Sequence, residues 1–552
     1  MVDRAPLGLA PDEKRRLLQQ LLRQRGVAPG HPVRQELRDA QAIPHAAPSI
    51  VRGLGEPRKA DSDYDVIVIG AGVGGLAAAG SLARAGYRVL VLERRSVVGG
   101  CCSTFRRGHF VFDVAVHVIG GCAPDDLIGR WLDDLGVGDE IQLHRLASVY
   151  TVDVAGEKIE LPANLDELAE TLCRVSPSDA AAINRLVEEI RTLGRGMLEG
   201  SDQRKRIVWQ QTERVSWNEF LSERLRSVKP VLLLNSLCIY AGMEPERLSA
   251  ASMISTLSTY DRGAYYPGGS SQQFAETLAK GVRRWGGEIR RKAAVERVLL
   301  KDGAVAGVRL VKGETITAPV VISNADGTKT FLEMIGAEHL PATFRGEVGQ
   351  LERSMSAVCL YAGLREGEWE APAHETVYFP RWAPLTADGF YYVPGRTDPH
   401  PGALVSAPTV TDPSLAPAGC HVVSIMIPVD AQAVEAVRTE RGKGFIEDDL
   451  LGLMERLIPG STSCIKYLET ATPHTIERYT NNSGGSIYGW AKSSSQRWNN
   501  SAGPITPIPG LYLAGHWTPR AHGVYGSFYS GYATARALIE ARERPGLIAT
   551  RA

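Results

Sequence analysis

The chain of 552 residues carries 62 basic and 62 acidic side chains, and 44% of its residues are apolar. At roughly 100–200 residues per domain, this length predicts two to four structural units. The balanced charge argues against a nucleic-acid-binding protein, which usually has a basic excess. Eight cysteines are too few for a disulfide scaffold in a chain of this length. The first 25 residues lack the apolar core of a secretory leader, so the sequence predicts a cytoplasmic protein.

The first 60 residues differ from the rest of the chain. Residues 11–25 (PDEKRRLLQQLLRQR) predict an amphipathic helix, with a proline at its first position and Gly26 just after its end. This helix would pack on the protein itself or on a partner protomer, or it would dock another protein. It resembles the short segments at the start of modules in nonribosomal peptide and polyketide assembly lines. That resemblance implies an acyl or peptidyl carrier protein as the partner of residues 11–25.

From Tyr64 onward the pattern changes to alternating strands and helices. Residues 65–69 and 88–92 predict two buried parallel strands with a small-residue helix between them. Residues 125–260 are mostly helical in pattern. Towards the end of the chain, the sequence predicts a hairpin over 295–309 that turns at Asp302–Gly303, a strand over 511–514 and a helix from about Gly531. This order is typical of an α/β protein.

A glycine-rich turn follows the first of these strands and fits G-x-G-x-x-G. Gly70 allows the tight turn, Gly72 lets the backbone approach a pyrophosphate, and Gly75 allows close packing of helix on strand. The N-terminus of the next helix would face the phosphates. Glu93, at the end of the second strand, would accept hydrogen bonds from an adenosine ribose. The sequence therefore predicts a dinucleotide site, which the motif alone leaves open between FAD and NAD.

Motifs spread along the chain point to FAD. Paired glycines at 99–100 lead through CCSTF, FD and His117 to a second pair at 120–121, and later runs read VVISNAD (320–326) and PGLYLAGHW (509–517). In this order they resemble the superfamily of FAD-dependent phytoene desaturases, carotenoid isomerases and retinol saturases. The resemblance spans about residues 64–545.

The resemblance implies a Rossmann-type FAD-binding domain of the glutathione-reductase-like kind, interleaved with an α+β substrate-binding domain. The FAD-binding pieces would be residues 61–124, 262–345 and 480–552. The substrate-binding pieces would be residues 125–261 and 346–479, after an N-terminal extension over residues 1–60.

The motif and the resemblance together predict the residues that contact FAD. The loop at 99–100 would lie against the diphosphate, the strand at Val295 would touch the adenine, and the chain from Gly515 onward would wrap the flavin. No second strand-embedded glycine motif occurs, so no NADPH domain is expected. The predicted set is Gly70, Gly72, Gly74, Gly75, Glu93, Arg94, Gly99, Gly100, Cys101, Val295, Asn324, Ala325, Gly515, His516, Gly526 and Ser527.

Polar residues near the predicted flavin end supply the catalytic candidates. Desaturation by a flavin removes a hydride from one carbon and a proton from its neighbour, and histidine suits the proton transfer. His117, His516 and His522 are acid/base candidates, Arg520 is a candidate anchor for a substrate oxygen, and Tyr525 is a candidate donor. Each has a structural alternative: His117 as a hydrogen-bonded core residue, His516 as a flavin contact, and Arg520 as the partner of a carboxylate.

The function predicted from these features is an FAD-dependent oxidoreductase acting on carbon–carbon bonds of a long, largely apolar or polyene substrate. Desaturation, saturation and flavin-assisted isomerisation all stay open, as does a carrier-bound intermediate of specialised metabolism in place of a free carotenoid or retinoid. Two alternatives are a flavin amine oxidase, for which Lys492 is a loose counterpart of a lysine near the flavin, and a non-enzymatic escort protein that binds prenyl groups.

Two further expectations concern metals and membranes. The spacing of His109 and His117 and the absence of C-x-x-C predict no metal site. The apolar stretch at 230–240 (PVLLLNSLCIY) predicts either a buried helix or a surface for peripheral membrane contact.

Overall fold

A parallel sheet and a mixed sheet organise the chain. The computed structural model describes residues 62–199, 203–395, 402–496, 506–518 and 522–543. The helix predicted for residues 11–25 and the candidate anchor Arg520 lie outside these ranges.

Strands are distributed along almost the whole described chain. In chain order they are β1 (Val66–Ile69), β2 (Val89–Glu93), β3 (Thr104–Arg107), β4 (Phe110–Asp113), β5 (Ile119–Gly120), β6 (Leu143–Arg145), β7 (Tyr150–Val154), β8 (Glu157–Leu161), β9 (Ala264–Pro267), β10 (Glu288–Arg291), β11 (Val295–Lys301), β12 (Ala304–Leu310), β13 (Thr315–Thr317), β14 (Val320–Ser323), β15 (Ser356–Arg365), β16 (Glu375–Phe379), β17 (Ala403–Ser406), β18 (Cys420–Val429), β19 (Ile465–Ala471) and β20 (Leu511–Leu513).

Helices connect and cover these strands. In chain order the α-helices are α1 (Val73–Arg84), α2 (Leu127–Asp134), α3 (Leu165–Val175), α4 (Ala180–Glu199), α5 (Gln203–Thr212), α6 (Trp217–Ser222), α7 (Val228–Asn235), α8 (Ala250–Tyr260), α9 (Ser271–Arg284), α10 (Gly327–Lys329), α11 (Ala342–Gln350), α12 (Ala387–Phe390), α13 (Ala431–Leu457), α14 (Pro473–Thr480) and α15 (Gly523–Glu543). Among the described residues, no helix combines the length and the apolar character that a membrane span requires.

The parallel sheet has the strand order β10-β2-β1-β14-β20. Its central strands β2, β1 and β14 are largely apolar and buried, as is usual for parallel sheets with both faces covered, whereas the edge strand β10 is polar and partly exposed. On β1, Val66 and Val68 pack into a core with α1, α9 and α15, whereas Ile67 and Ile69 pack into a second core with the β11–β12 hairpin. The carboxyl ends of β1 and β14, at the centre of this sheet, meet at the loop that follows Ile69.

The mixed sheet has the order β19-β15-β18-β17-β16-β7-β8. Its two faces belong to different cores: Val358 and Ile425 face α13, whereas Cys359 and Met426 face the helices of residues 165–260. Alternation of side chains along β15 and β18 produces this division.

The comparison with the sequence predictions is mostly favourable. The α/β class is confirmed, and the predicted hairpin is present as β11 and β12, with Asp302 at φ 51° and Gly303 at φ 77° in the turn. The strands of the parallel sheet fall within the predicted FAD-binding segments and those of the mixed sheet within the predicted substrate-binding segments. The domain boundaries themselves stay a prediction.

One local prediction was wrong. The last helix begins at Gly523, although the sequence predicted a start near Gly531. Its glycines do not mark a turn before the helix but allow close packing within it: a Cβ on Gly531 would lie 1.9 Å from the Gly74 carbonyl oxygen. The prediction that residues 125–260 are mostly helical is confirmed, since α2 to α8 occupy most of this segment. The sequence analysis missed the hairpin of β7 and β8, which pairs with the mixed sheet. The alternation of apolar and polar residues in this short hairpin is a weaker sequence signal than the helical periodicity of the longer segments around it.

The apolar stretch at 230–240 belongs to the core. Leu232, Leu233 and Leu234 on α7 are each at most 1% exposed. The buried-helix alternative is therefore confirmed for this stretch. Peripheral membrane contact by any other surface stays a prediction.

Candidate active site

A single cavity of about 450 Å³ contains most of the predicted site residues. It is lined from both sheets and from α8 and α15. The predicted residues on its wall are Gly70, Gly72, Gly74, Glu93, Arg94, Gly99, Gly100, Cys101, His117, Val295, Asn324, Ala325, His516, His522, Tyr525, Gly526 and Ser527. Gly75 and Gly515 lie behind this wall.

The glycine loop at one end of the cavity joins β1 to α1 through tightly packed backbone. Gly70 has a φ of 92°, a conformation that favours glycine. A Cβ on Gly75 would lie 2.2 Å from the Gly70 carbonyl oxygen, and one on Gly74 would lie 2.7 Å from Gly515 Cα. The helix N-cap, Gly72, provides no side-chain cap, so the first amides of α1 are available to an anion.

Glu93 fixes the neighbouring loops in place. Its carboxylate accepts hydrogen bonds from the Ala71 amide at 2.9 Å and the Arg95 amide at 2.7 Å. The Gly99 amide donates to the Ala71 carbonyl at 2.7 Å, which brings the second glycine pair against the first loop. Because a carboxylate has about four acceptor positions, Glu93 retains capacity for a ribose hydroxyl.

Asn324 links the loop to the centre of the parallel sheet. Its backbone amide donates to the Ile69 carbonyl at 2.8 Å, and its side-chain Nδ2 donates to the Gly70 carbonyl at 3.5 Å. A Cβ on Gly515 would lie 2.2 Å from Asn324 Oδ1. The glycine loop offers backbone amides for a diphosphate, and Glu93 offers a buried acceptor for a ribose hydroxyl. Val295 of β11 and Glu93 both line the cavity that continues from the loop. These groups fit FAD.

Lys492 contacts the backbone of His516, whose side chain is on the cavity wall. Lys492 Nζ donates to the Thr518 carbonyl at 2.7 Å and to the His516 carbonyl at 3.4 Å. Burial lowers the pKa of Lys492 to about 7. Burial, followed by the charge of Lys492, lowers the pKa of His516 to about 3. A neutral imidazole suits hydrogen bonding better than proton transfer near neutral pH.

His522 has a similar environment and a defined tautomer. Burial, followed by the charge of Lys492, lowers its pKa to about 3. Its Nε2 lies 2.8 Å from Thr256 Oγ1, and that hydroxyl donates to the Ser252 carbonyl at 3.0 Å. Since the threonine proton is used there, we infer that His522 Nε2 carries the hydrogen. Its Nδ1 is then a bare acceptor that is buried and has no partner among the described residues.

His117 lies on the same cavity wall beside a residue that the sequence analysis missed, Glu375. Its Nδ1 is 3.6 Å from Glu375 Oε1, and the two side chains are 5% and 1% exposed. Burial opposes a charged imidazole, but the hydrogen bond and the charge of Glu375 outweigh it, so the pKa of His117 is raised. Of the three candidate histidines, His117 is therefore the one suited to carry a proton near neutral pH.

The sequence contains a weak signal that Glu375 is buried beside a partner. It is the first residue of the strand ETVYF, and Val377 and Phe379 on the same face are buried. A glutamate at an inward position of an apolar strand is rarely buried without a partner. The partner, His117, is more than 250 positions away, so local pattern could not identify the pair.

Aromatic and apolar side chains form the rest of the cavity. Tyr240, Tyr260 and Tyr488 line it together with Met426 and Ile487. These side chains make this part of the wall largely apolar and aromatic, as is usual for small-molecule sites.

Tyr525 and Cys101 are candidates whose pKa values are shifted mainly by burial. Burial raises the pKa of Tyr525 to about 12 and that of Cys101 to about 11, so both stay protonated near neutral pH. Cys101 and Cys102 are free thiols. Among the residues that the structure describes, no group of three or more His, Cys, Asp or Glu side chains could hold a metal ion.

Comparison with known proteins agrees with this geometry. The family of flavin-containing amine oxidoreductases matches residues 73–539. The chain is 26% identical to the neurosporene-forming phytoene desaturase of Rhodobacter capsulatus over 86% of this chain and 94% of that protein. It is 28% identical to the chloroplastic prolycopene isomerase of Daucus carota, over 87% and 80% of the two chains.

A further curated relative and a solved structure are also similar to this chain. The all-trans-retinol 13,14-reductase of Rattus norvegicus is 25% identical over 82% of each chain. Among solved structures, an oxidoreductase from Methanosarcina mazei superposes with a TM-score of 0.63 at 18% identity, over 86% of this chain and all of that one. The chain belongs to the family of flavin-containing amine oxidoreductases, and it is an FAD-dependent oxidoreductase.

Proposed function

We propose that this member of the flavin-containing amine oxidoreductases changes carbon–carbon bonds of a polyene, by desaturation, saturation or isomerisation. The observation that carries the proposal is the continuity of one cavity, which extends from the dinucleotide loop at Gly72 to an aromatic pocket at Tyr240 and Tyr260. Relatives named as a phytoene desaturase, a prolycopene isomerase and a retinol reductase support it. Bound FAD would supply hydride transfer.

The chain's own residues divide the remaining work. The glycine loop, Glu93 and Asn324 would hold the nucleotide, as their backbone and carboxylate contacts indicate. The tyrosines exclude water from the pocket and contact the polyene. His117, with its raised pKa, would give a proton to a substrate carbon or take one from it, while neutral His516 and His522 would act as hydrogen-bonding groups on the cavity wall.

Product analysis after anaerobic incubation tests this proposal. FAD-loaded protein would be mixed with a set of carotenes and retinoids, once as isolated and once after photoreduction. We expect a change in the conjugated length or in the geometric isomer of at least one polyene, measured by chromatography with absorbance detection. An unchanged set of polyenes, together with peroxide formation from primary amines, would instead establish amine oxidation.

The carrier-bound form of the substrate is a separate and finer proposal. Its support is the sequence of residues 11–25, which lie outside the described part of the chain. If a carrier protein delivers the substrate, deletion of residues 1–60 should lower turnover of the carrier-bound substrate and spare turnover of the free one. Equal turnover by the shortened chain would remove this proposal alone.

A further inference from the structure

One buried ring nitrogen on the cavity wall lacks a hydrogen-bond partner. His522 lines the cavity and is 8% exposed, and its Nδ1 has no partner among the described residues. The other ring nitrogen, Nε2, is held by Thr256 Oγ1 at 2.8 Å. Because the two nitrogens of an imidazole point in different directions, Nδ1 is turned away from Thr256. A buried acceptor without a partner costs free energy, so a ligand that donates to it is favoured.

We propose that His522 is a cofactor residue whose Nδ1 accepts a hydrogen bond from N3–H of the flavin ring of FAD. This role replaces the acid/base role that the sequence predicted for His522. It concerns the cofactor alone and does not depend on which carbon–carbon bond the enzyme changes.

The contacts of His522 and of its helix place it beside the flavin part of FAD. α15 packs on the glycine loop, since a Cβ on Gly74 would lie 2.7 Å from the Ser527 carbonyl oxygen. His522 precedes Ser527 by five residues, so it lies just over one helical turn from that contact. Its partner Thr256 lies on α8 one turn before Tyr260, which belongs to the aromatic part of the wall. The flavin ring joins the diphosphate side of FAD and has to touch the substrate for hydride transfer, so we infer that it lies between these two contacts.

The groups at this position match one edge of the oxidised flavin ring. That ring has a single N–H group, N3–H, and a carbonyl oxygen flanks it on each side. Gly523 and Val524 line the same cavity, and as the first residues of α15 they have amides without an intrahelical acceptor. An acceptor beside backbone donors is complementary to a donor between two acceptors.

The surroundings of His522 favour a neutral donor over a charged one. Burial, followed by the charge of Lys492, lowers the pKa of His522 to about 3, so Nδ1 stays unprotonated near neutral pH. An ammonium group placed at Nδ1 would be repelled by the same lysine. A hydrocarbon polyene has no N–H or O–H to donate. The flavin N3–H is an uncharged donor and satisfies both conditions.

Binding of FAD and of its N3-methyl analogue tests the proposal. The methyl group replaces the only N–H of the oxidised ring, and the apoprotein would be titrated with each compound while the flavin absorbance is followed. We expect the wild type to bind FAD at least about tenfold more tightly than the analogue. With FAD labelled with ¹⁵N at N3, the N3–H proton should resonate at the low field of a hydrogen-bonded proton.

One variant and one control assign this preference to His522. His522→Phe keeps a flat ring and removes the nitrogen, so the preference for FAD should fall to about twofold or less, and the N3–H proton should move to higher field. A purely steric effect of the methyl group would persist in this variant, because the ring remains. His421→Phe is the matched control: His421 contacts Thr409 and is absent from the cavity wall, so its preference should equal that of the wild type.

The outcomes separate this inference from the proposed function. Equal affinity of the wild type for the two compounds, the full preference in His522→Phe, or an N3–H proton that does not move would each overturn the role of His522. None of these results touches the proposed carbon–carbon chemistry, which fails only if polyenes stay unchanged. If His522→Phe does not fold or load FAD, Thr256→Val takes its place. It keeps the imidazole but releases the tautomer, and its preference should fall below that of the wild type; an unchanged preference would overturn the inference.

Discussion

The two ends of the cavity are built by different means. At the nucleotide end, backbone amides and glycines make the site, and its sequence motif lies within one β1-α1-β2 unit, where the Ala71 amide donates to Glu93. At the polyene end, side chains make the site, and they come from distant segments, such as His117 and Glu375. A site made of backbone tolerates little substitution, whereas a site made of side chains can be altered without loss of the fold.

The backbone-made nucleotide end should be sensitive to a single added methyl group. In Gly74→Ala, the new Cβ would lie 2.7 Å from Gly515 Cα and from the Ser527 carbonyl oxygen, neither of which can move aside as a side chain would. Overpacking costs about 1–3 kcal/mol, so we expect flavin affinity to fall at least about fivefold, with a loss of bound flavin measured by the ratio of visible to ultraviolet absorbance. Gly346→Ala on α11 has nothing within 4 Å of the new Cβ and should retain flavin. Equal flavin content in both variants would contradict the packing argument.

The largest expected effect is at the polyene end, and it should leave the flavin in place. His117→Gln removes the proton carrier, and loss of general acid–base catalysis lowers turnover by about 10²–10⁴. Flavin content should match the wild type because the side chain is remote from the glycine loop. His421→Gln, whose side chain contacts Thr409 away from the cavity wall, is the control. Loss of flavin from His117→Gln would show that the two ends are not independent.

Glu93→Gln should weaken FAD binding without changing the chemistry. The carboxylate accepts from two backbone amides, and charge-assisted bonds are worth about 1.5–3 kcal/mol. We expect the FAD dissociation constant to rise about tenfold to a hundredfold, measured by reconstitution of the apoprotein. Turnover at saturating FAD should be close to wild type. The matched control is Glu314→Gln, which removes an exposed ion pair with Arg290.

The pH dependence of turnover sharpens the assignment of the polyene end. Glu375 raises the pKa of His117 against the effect of burial, with a smaller contribution from Asp113, so the protonated imidazole persists to a higher pH than usual. In Glu375→Gln, burial dominates and the pKa falls. The limb of the rate profile that His117 sets, alkaline when it gives the proton and acidic when it takes one, should therefore move to lower pH. NMR titration of labelled histidine should show the same change.

Glu244→Gln is the control for this experiment. Glu244 is a buried glutamate that accepts from the Tyr391 hydroxyl at 2.6 Å and is absent from the cavity wall. Its rate profile should keep the position of the wild-type limb. An unmoved limb in Glu375→Gln would remove His117 as the proton carrier.

The smallest expected effect concerns His522. Thr256→Val removes the hydroxyl that fixes the imidazole tautomer at 2.8 Å. Loss of one hydrogen bond is worth about 1 kcal/mol, so kcat/KM should fall about fivefold. Flavin content and the melting temperature should change little. Ser258→Ala removes a comparable hydroxyl that bonds only within α8 and serves as the control.

The nucleotide end was predictable because its signals are local. Gly70, Gly72 and Glu93 lie within 24 residues of one another, and strand, turn and helix each have a clear pattern. Asn324 and Gly515 were identified through resemblance to a family. The structure adds the reason for those two: each lies directly against the glycine loop.

The polyene end was less predictable for physical reasons. His117 could be selected as a candidate, but its proton affinity depends on Glu375, which tertiary packing brings to it. His516 and His522 were selected on the same grounds, yet burial near Lys492 lowers their pKa to about 3. Burial and distant charge determine the chemistry of a histidine, and neither is encoded in the residues beside it.

The visible absorption of the purified protein during anaerobic titration with polyenes tests the central claim most directly. We predict an oxidised flavin spectrum that is perturbed or bleached by a polyene, with a matching change in the polyene bands. The response should be lost in His117→Gln while the flavin spectrum itself remains. A flavin that responds only to amines, or a protein that cannot be loaded with FAD, would contradict the claim.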